Sequence, residues 1–253
     1  MRPSFLIVGS MKAGTSALVR GIANHDSVFR AEGKEVHYFD RHYDNGIDWY
    51  QSRFDNRGRA TAFGEGTPYL GNEVAMGRLL ADLPDTKLIV ILRQPADRAY
   101  SHYWHNRRRG REELSFPDAL AAEEERTGPN DTIFDYKKLG FYSGQLSQIK
   151  EARPAEQLLV LFNQDLKHQR EATLRATWEF VGVDPDRGRL EVPARSGTKR
   201  FWRSAKNRVK GRTDDRSYPP MDPTERASLT EEFARDIQAL QELVGRDLGG
   251  WLR

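Results

Sequence analysis

The stretch FLIVGSMKAGTSAL, from Phe5 to Leu18, leaves this chain the fewest architectures. Phe5 to Val8 suit a strand buried on both faces. Gly9 and Gly14 permit a tight backbone path, and Thr15 or Ser16 can open a helix whose free N–H groups face an anion. The stretch reads as a phosphate-cradling loop; the alternative is a glycine turn that binds nothing. Its spacing, GxxxxG followed by Thr15 and Ser16, nearly matches the triphosphate loop GxxxxGK[ST], but the lysine is displaced to Lys12, ahead of the second glycine. A metal-dependent kinase or hydrolase wants that lysine at the helix start. A lysine inside the loop points instead to a nucleotide whose 5′ group is not a triphosphate.

The rest of the chain repeats the strand-to-helix pattern. KLIVIL, Lys87 to Leu92, is an unbroken apolar run rich in β-branched residues, as parallel strands covered on both faces are. It ends in Arg93-Gln94-Pro95, and Pro95 begins an amphipathic helix on which Arg98, Ser101 and His105 share a face. An arginine at the carboxyl end of a central parallel strand lies where open α/β sheets bind ligands. TAFGEG, Thr61 to Gly66, reads as a short strand, LLVLF, Leu158 to Phe162, as a third central strand, and helices are predicted over 116–126, 141–152 and 171–181. Asp222 or Thr224 caps a last helix running to about Val244, with Pro223 in its first turn. This alternation predicts an α/β fold, a three-layer sandwich around a mostly parallel sheet with a P-loop-like loop, and the length suits one domain over residues 1–253.

AEGKEVHYFD brings Lys34, Glu35 and His37 together around a short strand-like run, whose alternation puts Glu35 and His37 on one face. A carboxylate held ionised by such partners is a general-base candidate, and an ordinary polar strand end is the other reading. Trp49, Tyr50 and Phe54 either line a cleft or pack on the core. Residues 110–140 read as a peripheral excursion flanking an acceptor.

Lys plus Arg number 40 against 37 Asp plus Glu, so the placement of charge matters more than its sum. Arg107, Arg108, Arg109 and Arg111 form one basic cluster. Eight basic and no acidic residues fall between Arg195 and Arg212, which suits either nucleic acid or a loop closing over a small phosphorylated ligand. The chain has no cysteine, which excludes disulfides and thiolate metal sites and fits a reducing compartment. The N-terminal apolar run is too short for a signal-peptide core or a membrane span, so a soluble, cytoplasmic protein is expected.

Taken in order, MKAGTSAL, KEVHYFD, GIDWY, GEGTPY, ILRQPADRAYSHYWHNR, TKRFW, and KGR followed by YPPMD resemble the sulfotransferases that use 3′-phosphoadenosine 5′-phosphosulfate (PAPS), in particular those of the heparan sulfate type, the N-deacetylase/N-sulfotransferases and 3-O-sulfotransferases. The resemblance implies that Lys12, Ala13, Gly14, Thr15 and Ser16 hold the 5′-phosphosulfate, with Lys12 at the bridging oxygen. It implies that Arg93 and Ser101 hold the 3′-phosphate, that Lys199 and Phe201 contact the nucleotide, and that Lys210, Gly211 and Arg212 close over it. Glu35 falls where the family places its catalytic base, and His105 where N-sulfotransferases carry a histidine near the acceptor. His37, Trp49, Tyr69 and His105 are the implied acceptor contacts. Sulfuryl transfer needs in-line positioning and charge stabilisation, and its donor carries fewer charges on the migrating group than a phosphoryl donor, so the chemistry requires no metal.

This chain departs from that pattern in two ways. The glycosaminoglycan enzymes carry a lysine where Gly66 stands, so a cation near the acceptor is expected to be missing. They also have a disulfide near the segment matching Phe201 and a membrane anchor, so a bacterial relative is expected whose acceptor is a saccharide, a glycolipid or a secondary metabolite, with no nucleic-acid partner. Two alternatives remain: a P-loop nucleotide-dependent kinase, and a non-enzymatic anion or nucleic-acid binding module.

Overall fold

The computed structural model describes residues 1–32, 35–126, 128, 131–190 and 218–253. Lys34 and the segment carrying Lys199, Phe201, Lys210, Gly211 and Arg212 lie outside the described residues.

The apolar runs form the strands expected of them. Strands β1 (Phe5–Gly9), β2 (Val28–Arg30), β3 (Ala62–Glu65), β4 (Lys87–Leu92) and β5 (Leu158–Phe162) make one sheet in the order β2-β3-β1-β4-β5. Every pairing is parallel. Alternation along β1 divides the core. Phe5 and Ile7 face a cluster with Leu18, Val19, Leu174 and Trp178, whereas Leu6 and Val8 face a larger one with Leu79, Ala99, Leu146 and Phe233. Helices therefore cover both faces, giving the predicted three layers. β5 is a correction: LLVLF was expected to be central but is an edge strand whose first three residues are only half-buried. An apolar run of that length looks the same at an edge that helices partly cover.

Local chemistry sets the helix boundaries. Helix α1 (Thr15–Ile22) follows the glycine loop. Short helices α2 (Tyr38–Arg41) and α3 (Gly46–Ser52) lie between β2 and β3. Asn72 caps α4 (Glu73–Asp82) by accepting from the Ala75 amide. Gln94 caps α5 (Pro95–Arg108) through the Asp97 amide, with Pro95 in the first turn. The helix predicted over 116–126 is two, α6 (Phe116–Ala121) and α7 (Glu123–Arg126). Then follow α8 (Tyr142–Ala152), α9 (Asn163–His168), α10 (Arg170–Val181) and α11 (Pro223–Val244). Asp222 caps α11 through the amides of Thr224 and Glu225, and α11 packs on α5 and α8.

The strand order reverses its direction of growth between β1 and β4: the chain runs from β1 to β2 and β3 on one side, then from β4 to β5 on the other. The loops leaving β1 and β4 consequently part above the sheet, which is where parallel sheets open a crevice for ligands. The Ser10 amide donates to the Ile91 carbonyl at 2.8 Å and ties the two loop bases together.

Candidate active site

The β1 loop is built to leave an anion cradle open. Gly14 stands at φ 111°, in the left-handed region, and a Cβ there would meet Asn163 Nδ2 at 2.9 Å. That same amide group donates to the Ala13 carbonyl at 2.5 Å and holds the loop's far side. No side chain caps α1, and Ala17 is the first of its amides to find a backbone carbonyl, that of Gly14. Lys12, Gly14, Thr15 and Ser16 line a cavity of about 450 Å³. A helix N-terminus beside a lysine is an anion site. Ala13 differs from its loop neighbours: its side chain is fully buried against β4 and α9, so it reaches the cavity with no side-chain atom.

Across the cavity stand Glu35, His37 and Asp40. The strand expected here is absent. Glu35 to His37 form a loop leading into α2, and His37 sits at φ 54°. The pair predicted from strand alternation meets anyway, because this turn sets the imidazole between two carboxylates. His37 Nε2 lies 3.4 Å from Glu35 Oε2, and Nδ1 lies 2.8 Å from Asp40 Oδ2. Burial alone would lower the His37 pKa, but the bonds to Asp40 and Glu35 outweigh it and raise it from 6.5 to about 9. At neutral pH His37 is therefore a cation set between the side chains of Glu35 and Asp40.

The sign of its effect on stability follows from that shift. The folded protein holds the His37 proton more tightly than the unfolded chain does, so the pair's contribution is complete below about pH 6.5 and is lost as pH rises through about 9. A loss on the order of 1–2 kcal/mol across that window is expected, less than the full shift because solvent screens the partly exposed pair, and urea titrations of wild type and His37→Asn should show it in the wild type only.

Helix α5 supplies the third wall. Ser101, His105 and Asn106 line the cavity. Arg98, which the helical spacing placed on the same face as Ser101 and His105, does not. It is fully buried, with Nη2 donating to the carbonyls of Asp135 and Tyr136, because that face meets the 110–140 excursion one turn before it reaches the cavity. Arg93 lies behind the β1 loop. Its Nη1 donates to the Lys12 carbonyl at 3.3 Å, and it lines a separate recess with Gln94, Asn163 and Lys167. The structure thus brings Ser101, but not Arg93, into the cavity with Lys12.

Two expected acceptor contacts also lie elsewhere. Trp49 packs on the core, stacked at 6.2 Å on Tyr38 and covered by the Arg53 guanidinium 4.1 Å from its ring centre. Tyr69 is 1% exposed, and its hydroxyl donates to buried Glu65 at 3.1 Å. Both are aromatic residues in a turn-rich segment, a composition that serves a core as readily as a cleft.

Sequence reasoning overlooked Asp40 and Arg41, which end the short α2, and Arg20 on α1. The spacing His37 to Asp40, three residues apart at a helix start, was the available signal. The arginine cluster divides. Arg109 and Arg111 line the cavity, whereas Arg107 donates to the Glu112 carbonyl and Arg108 lies over the Tyr218 ring. The expectation of a missing cation at the Gly66 position stands beside a different source of positive charge in the cavity. A Cβ at Gly66 would meet Val19 Cγ2 at 2.4 Å, which excludes a lysine, but Arg20, Arg41, Arg109 and Arg111 bring positive charge from other elements.

An uncapped helix N-terminus, a loop lysine and a carboxylate thus line one cleft of the parallel sheet. Residues 2–206 match the family model described as sulfotransferase domain, and the chain belongs to that family. It is 30% identical over 275 residues to human bifunctional heparan sulfate N-deacetylase/N-sulfotransferase 2, and 30% identical over 277 residues to mouse bifunctional heparan sulfate N-deacetylase/N-sulfotransferase 3. Each match takes in 99% of this chain but 31% of the relative, so the chain spans about a third of the length of these proteins. The crystal structure of a sulfotransferase from Alicyclobacillus acidocaldarius superposes with a TM-score of 0.82 at 29% identity, covering all of both chains. The sulfotransferase domain of the curacin biosynthetic pathway shares the fold at 13% identity, with a TM-score of 0.54 over 92% of this chain and 98% of that one. Membership of the sulfotransferase family is what these matches establish; the kinase and binding-module alternatives find no support in them. None of the described helices is long and apolar enough to cross a membrane.

Proposed function

We propose that the protein moves a sulfuryl group from PAPS to a hydroxyl of a saccharide, glycolipid or secondary metabolite, with Glu35 as general base. The observation that carries this reading is that Lys12, the α1 N-terminus and Glu35 line one cavity. The residues fit the donor: Lys12, Gly14, Thr15 and Ser16 line a cavity of about 450 Å³, Gly14 has no space for a side chain, and α1 begins without a side-chain cap. When bound, PAPS supplies an activated sulfuryl group. Gly14, Thr15 and Ser16 hold its 5′-phosphate by backbone amides, and Lys12 offsets charge growing on the departing oxygen. Glu35 takes the acceptor proton onto a carboxylate oxygen, and His37 holds that carboxylate in place. Ser101 binds the 3′-phosphate, and His105 stands on the acceptor side. Arg93 serves by fixing the Lys12 carbonyl. Lys199, Phe201, Lys210, Gly211 and Arg212 complete the nucleotide side. The cysteine-free composition supports a cytoplasmic location, and the likeness to the Alicyclobacillus protein supports a bacterial one.

Calorimetry tests the donor assignment. Adenosine 3′,5′-bisphosphate (PAP), the product nucleotide, should bind saturably and with equal affinity in chelator and in magnesium; no binding, or ATP binding tighter than PAP, removes the reading.

The arginine rim favours acceptors that carry negative charge. Removing Arg109 and Arg111 together is expected to raise the KM for a carboxylated or sulfated acceptor about tenfold while PAP affinity stays unchanged, and raising salt should reproduce the effect in wild type. A KM that ignores both changes would show that the acceptor is neutral where it meets this rim.

A further inference from the structure

Beneath the Glu35 loop lies a buried carboxylate that the reaction does not touch. Glu65 ends β3, 2% exposed, where its strand partner is Leu6 of β1. Oε2 accepts from the Thr67 hydroxyl at 2.5 Å, and Oε1 accepts from the Tyr69 hydroxyl at 3.1 Å and from the Tyr50 hydroxyl at 3.5 Å. The two nearer hydroxyls in turn hold the chain above. Thr67 Oγ1 accepts from the Val36 amide at 3.0 Å and the His37 amide at 3.3 Å, and the Tyr69 oxygen accepts from the Tyr38 amide at 3.0 Å. Three consecutive amides, directly after Glu35, are thus caught by two hydroxyls whose protons all point one way.

We propose that Glu65 is a positioning residue for sulfuryl transfer: by taking the protons of Thr67 and Tyr69 it turns their lone pairs toward the Val36, His37 and Tyr38 amides and so sets the reach of Glu35 into the cavity. The proposal rests on the assignment of Glu35 as base made above.

Hydrogen-bond polarity carries the argument. A hydroxyl has one proton to give. If Thr67 gives its proton to Glu65, its oxygen remains free to accept two amides; if the proton turns elsewhere, the His37 amide is the one exposed to losing its acceptor, since the Val36 amide also lies 3.5 Å from Glu65 Oε2. An ionised carboxylate only accepts and so imposes the first arrangement on both hydroxyls at once. A glutamine in its place would present an NH₂ to one of them and reverse that partner. Burial raises the Glu65 pKa from 4.5 to about 7, against the opposing bonds from Thr67, Tyr69 and the Val36 amide, so the carboxylate imposes this arrangement fully only above about pH 7. A leucine would avoid that burial penalty, so the carboxylate is costly where it stands, and the catch of three amides is what it provides in return. The amides it governs belong to the left-handed turn at His37, which places His37 against Glu35.

The test uses Thr67→Val, which keeps shape and removes the hydroxyl, Thr67→Ser, which returns it, and Glu65→Gln. Thr67→Val and Glu65→Gln should each lower kcat about tenfold, as a displacement of the base of under an ångström would, with PAP affinity unchanged. Thr67→Ser should keep wild-type kcat. Hydrogen exchange at the Val36 to Tyr38 amides should be faster in the two slow variants and unchanged in Thr67→Ser, at equal helix content by circular dichroism. A Thr67→Val or a folded Glu65→Gln with kcat within about twofold of wild type overturns the proposal, as does a loss that Thr67→Ser shares. Failure of the wild type itself to bind PAP would instead remove the reading of the site on which the proposal rests.

Discussion

Glu35→Gln is expected to lower kcat by about a hundredfold or more while PAP affinity stays within about twofold of wild type. The glutamine amide keeps the size of the carboxylate but cannot accept the acceptor proton. His37 would lose one of its two carboxylate partners and keep Asp40 at 2.8 Å, so the loop should remain ordered. The nucleotide site is carried by other elements of the cavity lining, Lys12 and the start of α1, whereas Glu35 enters from the loop before α2. Single-turnover transfer and PAP calorimetry on the same preparation separate the two quantities. Equal losses in both would assign Glu35 to the architecture of the cleft and take the general-base role from it.

Glu112→Ala should be the most damaging substitution to stability among the residues away from the two core clusters. Glu112 is 2% exposed and accepts from Arg126 Nη1 at 2.9 Å, from the Tyr136 hydroxyl at 2.7 Å, and from the amides of Glu113 and Leu114 at 3.0 Å each. Burial alone would raise its pKa, but the bonds from Tyr136, Arg126 and the Leu114 amide outweigh it and hold the carboxyl below its usual range. Tyr136 in turn accepts from Asn106 of α5, which also donates to the Ile133 carbonyl. Glu112 therefore ties residues 110–136 to the helix that carries Ser101 and His105. Removing it leaves Arg126 partly buried without its partner, at a cost of about 3–5 kcal/mol of unfolding free energy in urea. The wild-type contribution is present above the ordinary glutamate pKa and is lost on acidification through the lowered one, so the gap between wild type and variant should close in acid. Thr132 and Ile133 line the cavity, so acceptor KM should rise as well. A loss under about 1 kcal/mol would mean that Phe134 and Tyr136 hold the excursion by packing alone.

Much of the scaffold was legible because its signals are local. The KLIVIL run, the Pro95 start of α5 and the Asp222-Pro223 start of α11 are each set by neighbours within a few residues, and the structure places them where the sequence did. The β1 loop belongs with them: Gly14 is required by backbone geometry, and Lys12 and Ser16 reach the cavity by their position in the turn. Glu35 and His37 were paired for a reason the structure replaces. Strand alternation suggested them, whereas a left-handed turn brings them together. The basic run 195–212 lies outside the described residues, so its part in the site stays a proposal.

What the sequence by itself determined is the parallel α/β scaffold and the anion loop, since apolar period, glycine placement and helix caps are decided within one turn or one strand. Only the tertiary structure decided which polar residues share the cleft. Tyr69, an expected acceptor contact in the segment GEGTPY, is instead buried against Glu65, while Arg109 and Arg111 reach the cavity from a helix end and the excursion beyond. Side chains distant in sequence meet through the crossing of elements above the sheet, and that crossing depends on packing across both core layers, which no local window contains.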